Sequence, residues 1–173
     1  PAQSEAPART AASSQAAAAA LTPSPSPRFE PMEGWSIMIE GQSAPVAFAG
    51  ESDGETVAIP PYQYGETVYV PLFSILQAND VYLILSDDVE RTEYAFVLGS
   101  DLYHITYTET QDGEPTDLNA FKRNVPQLLP NRDVRLGGNF VCIPAETVAS
   151  LTGITFVRDD ARRVLTARFP AAE

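Results

Sequence analysis

Hydrophobic and polar residues alternate over short stretches from residue 31 onward, and turn-forming residues separate these stretches. Alternation with a period of two is typical of half-buried β-strands. The pattern predicts strands at 35–40, 46–49, 56–59, 67–70, 81–85, 93–98, 102–108, 140–143, 154–158 and 163–169. Glycine, proline, asparagine and aspartate between these stretches predict tight turns.

Two short helices are predicted, each directly after a strand and each opened by a proline. They cover 71–79 and 144–152, and the second is followed by Gly153. Proline is tolerated in the first helical turn because the N–H that it lacks has no partner there. A further helical turn is expected within 118–124, after a turn-rich loop at 110–115.

The first thirty residues have a different composition from the rest. They are almost entirely Ala, Pro, Ser and Thr, with no aromatic residue before Phe29. Such a segment has too little apolar surface to offset its ordering entropy, so we predict a disordered tether over 1–30 and a folded domain over 31–173. Because the chain begins with proline, we expect processing or truncation. A removed secretory signal, an upstream lipid-anchor cysteine and an artificial boundary are the alternatives.

The order of elements repeats along the chain. Residues 67–91 and 139–163 each run strand, proline, short helix, turn, strand and Asp-Asp turn. The predicted repeats cover about 66–98 and 138–169. A unit of this size is too small to bury a core alone, so we expect the two units to share one. The predicted fold is α+β, with antiparallel sheets wrapped on short helices.

The residues of this repeat also resemble a known family, the copper amine oxidase N-terminal-like domain. The resemblance lies in the strand-Val-Pro-Leu start and Asp turn of 66–88, the strand-Gly-Ser-strand step of 96–105, and the segment 124–165. It implies an α+β module of secreted and envelope proteins of Gram-positive bacteria, with a non-catalytic role. It implies no copper ligands and no cofactor in this domain.

Composition and charge exclude several classes of function. The chain has 44% hydrophobic and 20% charged residues, close to globular averages, and a net charge of -12. This charge argues against binding to nucleic acid or to an anionic membrane surface. One cysteine excludes an internal disulfide, one histidine excludes any mechanism with two imidazoles, and no apolar run is long enough to span a bilayer.

The charge is unevenly distributed between the two halves of the predicted domain. Residues 31–121 contain 16 acidic residues and one base, whereas 122–173 contain eight bases and five acids. The simplest interpretation of the acidic half is a solvated face. Two further hypotheses are that opposite charges hold the two repeats together, or that copies of the chain associate head to tail.

The candidate reactive residues do not form a recognisable motif. His104 and Cys142 each lie within a predicted strand, and a structural role is expected for both. The Asp-Asp pairs at 87–88 and 159–160 are expected to shape turns. We therefore predict no catalytic residue and no metal ligand. The alternative is a metal-dependent enzyme or calcium-binding protein that uses acidic loop residues, for which the candidates are Asp112, Glu114 and Asp117.

Tyrosines are the other candidate binding residues. Tyr62 and Tyr64 lie near the first repeat, and Tyr103 and Tyr107 share one strand face because they are four residues apart. Exposed tyrosines on a sheet can stack on a sugar ring or a peptide, whereas buried ones form cross-strand pairs. These four residues are the predicted surface candidates for ligand binding.

The sequence therefore predicts a non-enzymatic, extracytoplasmic binding or scaffolding module on a tether. The expected partner is an envelope polymer or another protein, and self-association is a further hypothesis. A regulatory or inhibitory domain of a larger assembly is the remaining class.

Overall fold

The structure, a computed structural model, describes residues 26–49 and 54–171. Residues 1–25, 50–53 and 172–173 lie outside the described part, and so does most of the predicted tether. Of the described residues, 48% are in strands and 11% in helices. The fold is therefore mostly antiparallel β-sheet with two short helices, which agrees with the predicted antiparallel sheets and short helices.

The described residues form fifteen strands and two helices. The strands are β1 (Glu30–Pro31), β2 (Ser36–Ile39), β3 (Ala47–Ala49), β4 (Thr56–Ala58), β5 (Tyr62–Tyr64), β6 (Thr67–Val70), β7 (Ile84–Asp87), β8 (Thr92–Leu98), β9 (Asp101–Glu109), β10 (Pro115–Lys122), β11 (Val125–Pro126), β12 (Arg135–Gly137), β13 (Phe140–Pro144), β14 (Thr155–Asp159) and β15 (Val164–Arg168). The helices are α1 (Leu72–Ala78) and α2 (Ala145–Thr152).

The strands are arranged in four sheets. Two have five strands, in the orders β1-β5-β6-β13-β12 and β11-β10-β9-β8-β7. The third has the order β14-β15-β2, and β3 with β4 forms a separate hairpin. Every pair between these strands is antiparallel except β15 with β2, which pairs in parallel with Leu165 opposite Ile37.

Each helix follows its strand with one proline at the junction, as the sequence predicts. Pro71 and Pro144 are the N-caps of α1 and α2. Proline is well suited to this position because it ends strand pairing without removing a helical hydrogen bond. At the other end of α2, Gly153 adopts the left-handed conformation with φ of 81°, which glycine reaches without a steric penalty.

One continuous core joins the two predicted repeats. Val70, Leu72 and Ile75 from the first segment pack in the same buried cluster as Ile143 and Val148 from the second. Strands β6 and β13 also pair directly, with Val70 opposite Ile143. The two strand-helix units are therefore packed together, because neither has enough apolar surface to be buried by itself.

The expected helical turn at 118–124 is wrong, because these residues lie mostly in the long strand β10. The register of β10 against β9 shifts between Thr116 and Asn119, at Asp117, which has a positive φ of 57°. A bulge of this kind adds a residue to one strand, so the side-chain alternation is interrupted. Because the alternation of apolar and polar residues is interrupted, the sequence pattern does not predict this strand.

Two boundaries also differ from the predictions. Val81 donates its N–H to the carbonyl of Leu76 and so completes the end of α1, and the strand expected at 81–85 begins only at Ile84. At the N-terminal boundary of the domain, Phe29 packs on Tyr62 and Glu30 pairs with Gln63. The folded part therefore begins before residue 31.

Candidate functional site

Tyr62 and Tyr64 lie on β5, a strand that sequence analysis missed because only three residues pair there. Both are half-buried. The Tyr62 ring stacks on Phe29 with centroids 5.0 Å apart, and it lies beneath Gly137, where a Cβ atom would be only 2.7 Å from the ring. The Tyr64 ring is covered by the guanidinium of Arg135 at 4.0 Å. Both rings are therefore engaged within the chain.

The neighbouring buried tyrosine, Tyr69, completes this group. Its hydroxyl donates a hydrogen bond to the carboxylate of Asp133, which also lies 2.7 Å from Nε of Arg135. Burial, followed by this hydrogen bond, raises the pKa of Tyr69 to about 12. We define the aromatic–arginine cluster as Phe29, Tyr62, Tyr64, Tyr69, Asp133 and Arg135. Its charges and rings satisfy each other, so it stabilises the sheet.

Tyr103 and Tyr107 are not surface residues, and this part of the tyrosine hypothesis is wrong. They are 3% and 5% exposed. Tyr103 stacks on Phe96 with centroids 5.2 Å apart, and Tyr107 packs near Tyr94. The two tyrosines do share one face of β9, but that face is turned toward the core. Burial raises the pKa of both hydroxyls above the ordinary value.

His104 lies on the opposite face of β9, and its partner is a residue that sequence analysis did not consider. Nδ1 of His104 is 3.2 Å from Oε1 of Glu93 on the neighbouring strand β8. Ala95 is directly opposite His104, so Glu93 is its diagonal neighbour across the two strands. The pair is half-exposed and forms a cross-strand contact on the sheet surface.

Cys142 is fully buried, as its apolar neighbours indicate. Burial raises the pKa of its thiol to about 12, which keeps it protonated near neutral pH. Its thiol donates to the carbonyl of Phe140, 3.6 Å from Sγ. A nucleophilic cysteine needs a lowered pKa, so this environment opposes such a role.

One aspartate of each Asp-Asp pair caps backbone N–H groups of its turn. Asp88 accepts a hydrogen bond from the N–H of Val89, and Asp159 accepts from the N–H groups of Ala161 and Arg162. These contacts are those of side chains that shape turns. Within 26–49 and 54–171, no three His, Cys, Asp or Glu side chains are grouped so that they could hold a metal ion. The alternative calcium candidates Asp112, Glu114 and Asp117 therefore do not converge.

Several acids of the first half pair with bases of the second half. Asp101 lies 2.5 Å from Nε of Arg123 and 3.5 Å from Nζ of Lys122, and Glu40 lies 2.5 Å from Nε of Arg168. Much of the positive charge of the second half is therefore paired with acidic residues of the same chain. The unpaired acidic excess remains on the first half.

A polar cleft of about 390 Å³ lies beside the Asp101 group, between the β8–β9 turn and the end of α2. Its polar groups include Ser150, Asp101 and Lys122. The carboxylate of Asp101 is already paired with two cations, and Lys122 lies over the ring of Tyr103 at 5.9 Å. One carboxylate between two cations leaves one net positive charge beside the cleft, and the side chains that carry it are already engaged within the chain.

The outer face of the sheet β11-β10-β9-β8-β7 exposes several apolar side chains. Tyr103 and Ile105 point to the core from β9, so the alternate residues of each strand point outward. The outward residues include apolar side chains that remain accessible: Val97 is 58% exposed, Ile84 55% and Leu102 37%, with Phe121 half-buried beside His104. We define the open sheet face as Ile84, Val97, Leu102, His104 and Phe121.

Sequence analysis missed this face because strands β8 and β9 carry apolar residues on both sides. Apolar residues on both faces are typical of a strand that is buried on both sides, so the sequence pattern does not indicate an exposed face. The available signal was the polar pair Glu93 and His104, which in alternation marks the outward side of the sheet.

Fold and surface together define a mostly β protein with an open, partly apolar sheet face. No family model matches the sequence, and neither a curated protein nor a solved structure is significantly similar to it. In the described part of the chain, no helix combines the length and apolarity needed to cross a membrane.

Proposed function

We propose that this protein is a non-catalytic, extracytoplasmic binding or scaffolding module of a bacterial cell-envelope or secreted protein. The observation that carries the proposal is the open sheet face. One side of a five-stranded sheet is packed on the core, while the other exposes Val97, Leu102 and Ile84 next to one another. Apolar side chains grouped on a surface are a feature of interaction sites.

The non-catalytic part of the proposal is supported by the partners of the candidate reactive residues. His104 contacts Glu93, Cys142 is buried and protonated, and Asp159 caps a turn. Each of these side chains has a structural contact that explains its position. A binding role needs no reactive group and fits this arrangement.

The location is proposed from the resemblance to the copper amine oxidase N-terminal-like domain and from the composition of residues 1–30. Segments rich in Ala, Pro and Ser are typical of extended spacers. A spacer of this kind would hold the folded part away from an anchoring point. The expected partner is an envelope polymer or a protein in the envelope.

We also propose that the segments 66–98 and 138–169 are copies of one ancestral unit. Both contain a strand, a helix that starts after proline, and a β-hairpin, namely β6-α1-β7-β8 and β13-α2-β14-β15. The first strands of the two units pair antiparallel. This is the arrangement that a local two-fold relation between duplicated units would produce.

Binding of the open sheet face to the envelope is testable with Val97→Glu. We expect wild-type protein to co-sediment with purified Gram-positive cell envelopes and the variant to lose about tenfold in affinity, because a charge at the centre of an apolar contact must be desolvated. Melting temperature checks that the fold is intact.

The matched control is Val157→Glu, at a 40% exposed position on a different sheet, which should bind as wild type does. Protease-treated envelopes separate a polymer ligand from a protein ligand. Absence of wild-type binding to either preparation, or equal loss in both variants, would contradict the proposal.

A further inference from the structure

Strand β7 is the terminal strand of its sheet and pairs only with β8 among the described strands. The N–H of Asp88 donates to the carbonyl of Arg91, which fixes the alternation of hydrogen bonds along the hairpin. Residues Ser86 and Ile84 then bond to β8, while Leu85 and Asp87 direct their N–H and C=O groups away from the sheet. No described strand pairs with this side of β7, which we call the free edge.

The free edge carries acidic side chains, which can protect such strands, but it lacks a bulge, a proline and a lysine. Edge strands are commonly short, bulged or interrupted by proline or lysine. The opposite edge of the same sheet, β11, has two residues and includes Pro126, and β1 on the other five-stranded sheet has two residues and includes Pro31. Strand β7 has four residues without proline or lysine.

Apolar side chains surround this edge and are accessible. Tyr82 is 81% exposed, Leu85 is 55% exposed and Val89 is fully exposed. A strand added beside β7 would cover part of this surface while its backbone completed the free hydrogen bonds. Backbone pairing supplies affinity in this mode of recognition, and side chains supply specificity.

The charge around the edge determines the kind of partner. Residues 80–93 contain five acids and one base. Asp80, Asp87, Asp88 and Glu90 are exposed and form no ion pair with a described residue. Two copies joined at this edge would bring these acids together, whereas a basic strand would neutralise them.

We propose that β7 binds an extended, basic segment of a partner polypeptide by β-strand addition. This deepens the proposed binding role by naming the mode and chemistry of one contact. The edge and the open sheet face share Ile84, but Val97 lies on β8, so Val97→Glu and the peptide experiments below test the two contacts separately.

The probe is a capped peptide of alternating threonine and valine with lysines at both ends, measured by NMR titration and amide hydrogen exchange. We expect exchange at Leu85 and Asp87 to slow about tenfold or more at saturation, because these N–H groups become hydrogen-bonded. The same peptide with glutamates in place of the lysines should bind at least about tenfold more weakly. Equal binding of both peptides, or protection elsewhere in the chain, would overturn the proposal.

Two peptides methylated on alternate backbone amides test the pairing without any change to the protein. Only one set of amides faces β7, so one methylated peptide should lose binding and the other should keep it. Leu85→Pro, which removes one free N–H, should also abolish binding. If the two methylated peptides behave alike, strand addition is wrong.

Charge is tested with Asp87→Asn together with Asp88→Asn, because asparagine keeps the hydrogen-bond acceptors of the turn. We expect about a fivefold loss of affinity at low salt. The matched control, Asp112→Asn with Glu114→Gln, removes two charges from another loop and should stay within about twofold. If the two double variants lose affinity equally, the proposal of a basic partner is wrong. It is also wrong if the protein self-associates and thereby protects the amides of Leu85 and Asp87 without peptide.

Discussion

Burial decides the chemistry of Cys142. Because burial raises the pKa of its thiol to about 12, little thiolate forms near neutral pH. We expect native protein to react with a disulfide reagent at about pH 8 far more slowly than denatured protein does, by a factor of about 100 or more. Absorbance of the released thiolate measures the rate. Equal rates in the native and denatured states would contradict the buried position.

The raised pKa of Tyr69 makes the free energy of unfolding depend on pH in the alkaline range. Its pKa is about 12 in the folded chain against an ordinary value of 10.0 for tyrosine, so the unfolded chain loses the proton first as pH rises. The contribution of the neutral hydroxyl is therefore complete below pH 10 and falls as pH rises toward 12. Tyr69→Phe should cost about 1.5 kcal/mol near neutral pH, because Asp133 loses a donor. Its stability should then decline less steeply than that of wild type at alkaline pH.

Urea unfolding over this pH range measures the effect of Tyr69→Phe. Tyr82→Phe is the control, because Tyr82 is 81% exposed and should have little effect on either quantity. Parallel declines of wild type and Tyr69→Phe from pH 10 upward would contradict the assignment.

For single residues, the sequence indicated which side chains share a face of a strand, but not whether that face is buried or exposed. The spacing of Tyr103 and Tyr107 placed them together on a strand, and the structure turns that face to the core. Exposure depends on how the sheet packs, which is a long-range property. The pairing of His104 with Glu93 likewise depends on the register between β8 and β9.

The end of α2 depends on one glycine. Gly153 has φ of 81°, a conformation in which an L side chain is strained by about 1 kcal/mol, and its N–H donates to the carbonyl of Ala149. We expect Gly153→Ala to lower the melting temperature by about 4 °C. Ser150→Ala, on the exposed side of the same helix, is the control and should change it little. Calorimetry measures both, and an unchanged value for Gly153→Ala would contradict this account.

Elements with local signals were predictable and elements set by tertiary contacts were not. Both helices carry proline before them, and their positions were correct to within one residue at each end. In contrast, β5 is three residues long and pairs mainly with β6 and β1, and the bulge of β10 removes its alternation. Short or irregular strands gain their order from neighbours, so a local pattern does not reveal them.

The whole molecule has opposite charges in its two halves, and the structure pairs several of them internally. Asp101 with Arg123 and Glu40 with Arg168 join residues far apart in the chain. With these bases occupied and a net charge of -12, copies should repel one another. We expect light scattering to give the mass of one chain both below and well above physiological ionic strength. A mass that increases as salt is lowered would instead show head-to-tail association by opposite charges.

The parallel pairing of β2 with β15 has a mechanical consequence. Chain enters the first strand at Ser36 and leaves the second at Arg168, and the two strands run in the same direction side by side. Once β1 has separated from β5, tension applied at Ser36 and Arg168 would slide one strand along the other and load their hydrogen bonds simultaneously instead of one after another. Rupture then requires several bonds to break together, so this pair acts as a clamp against stretching.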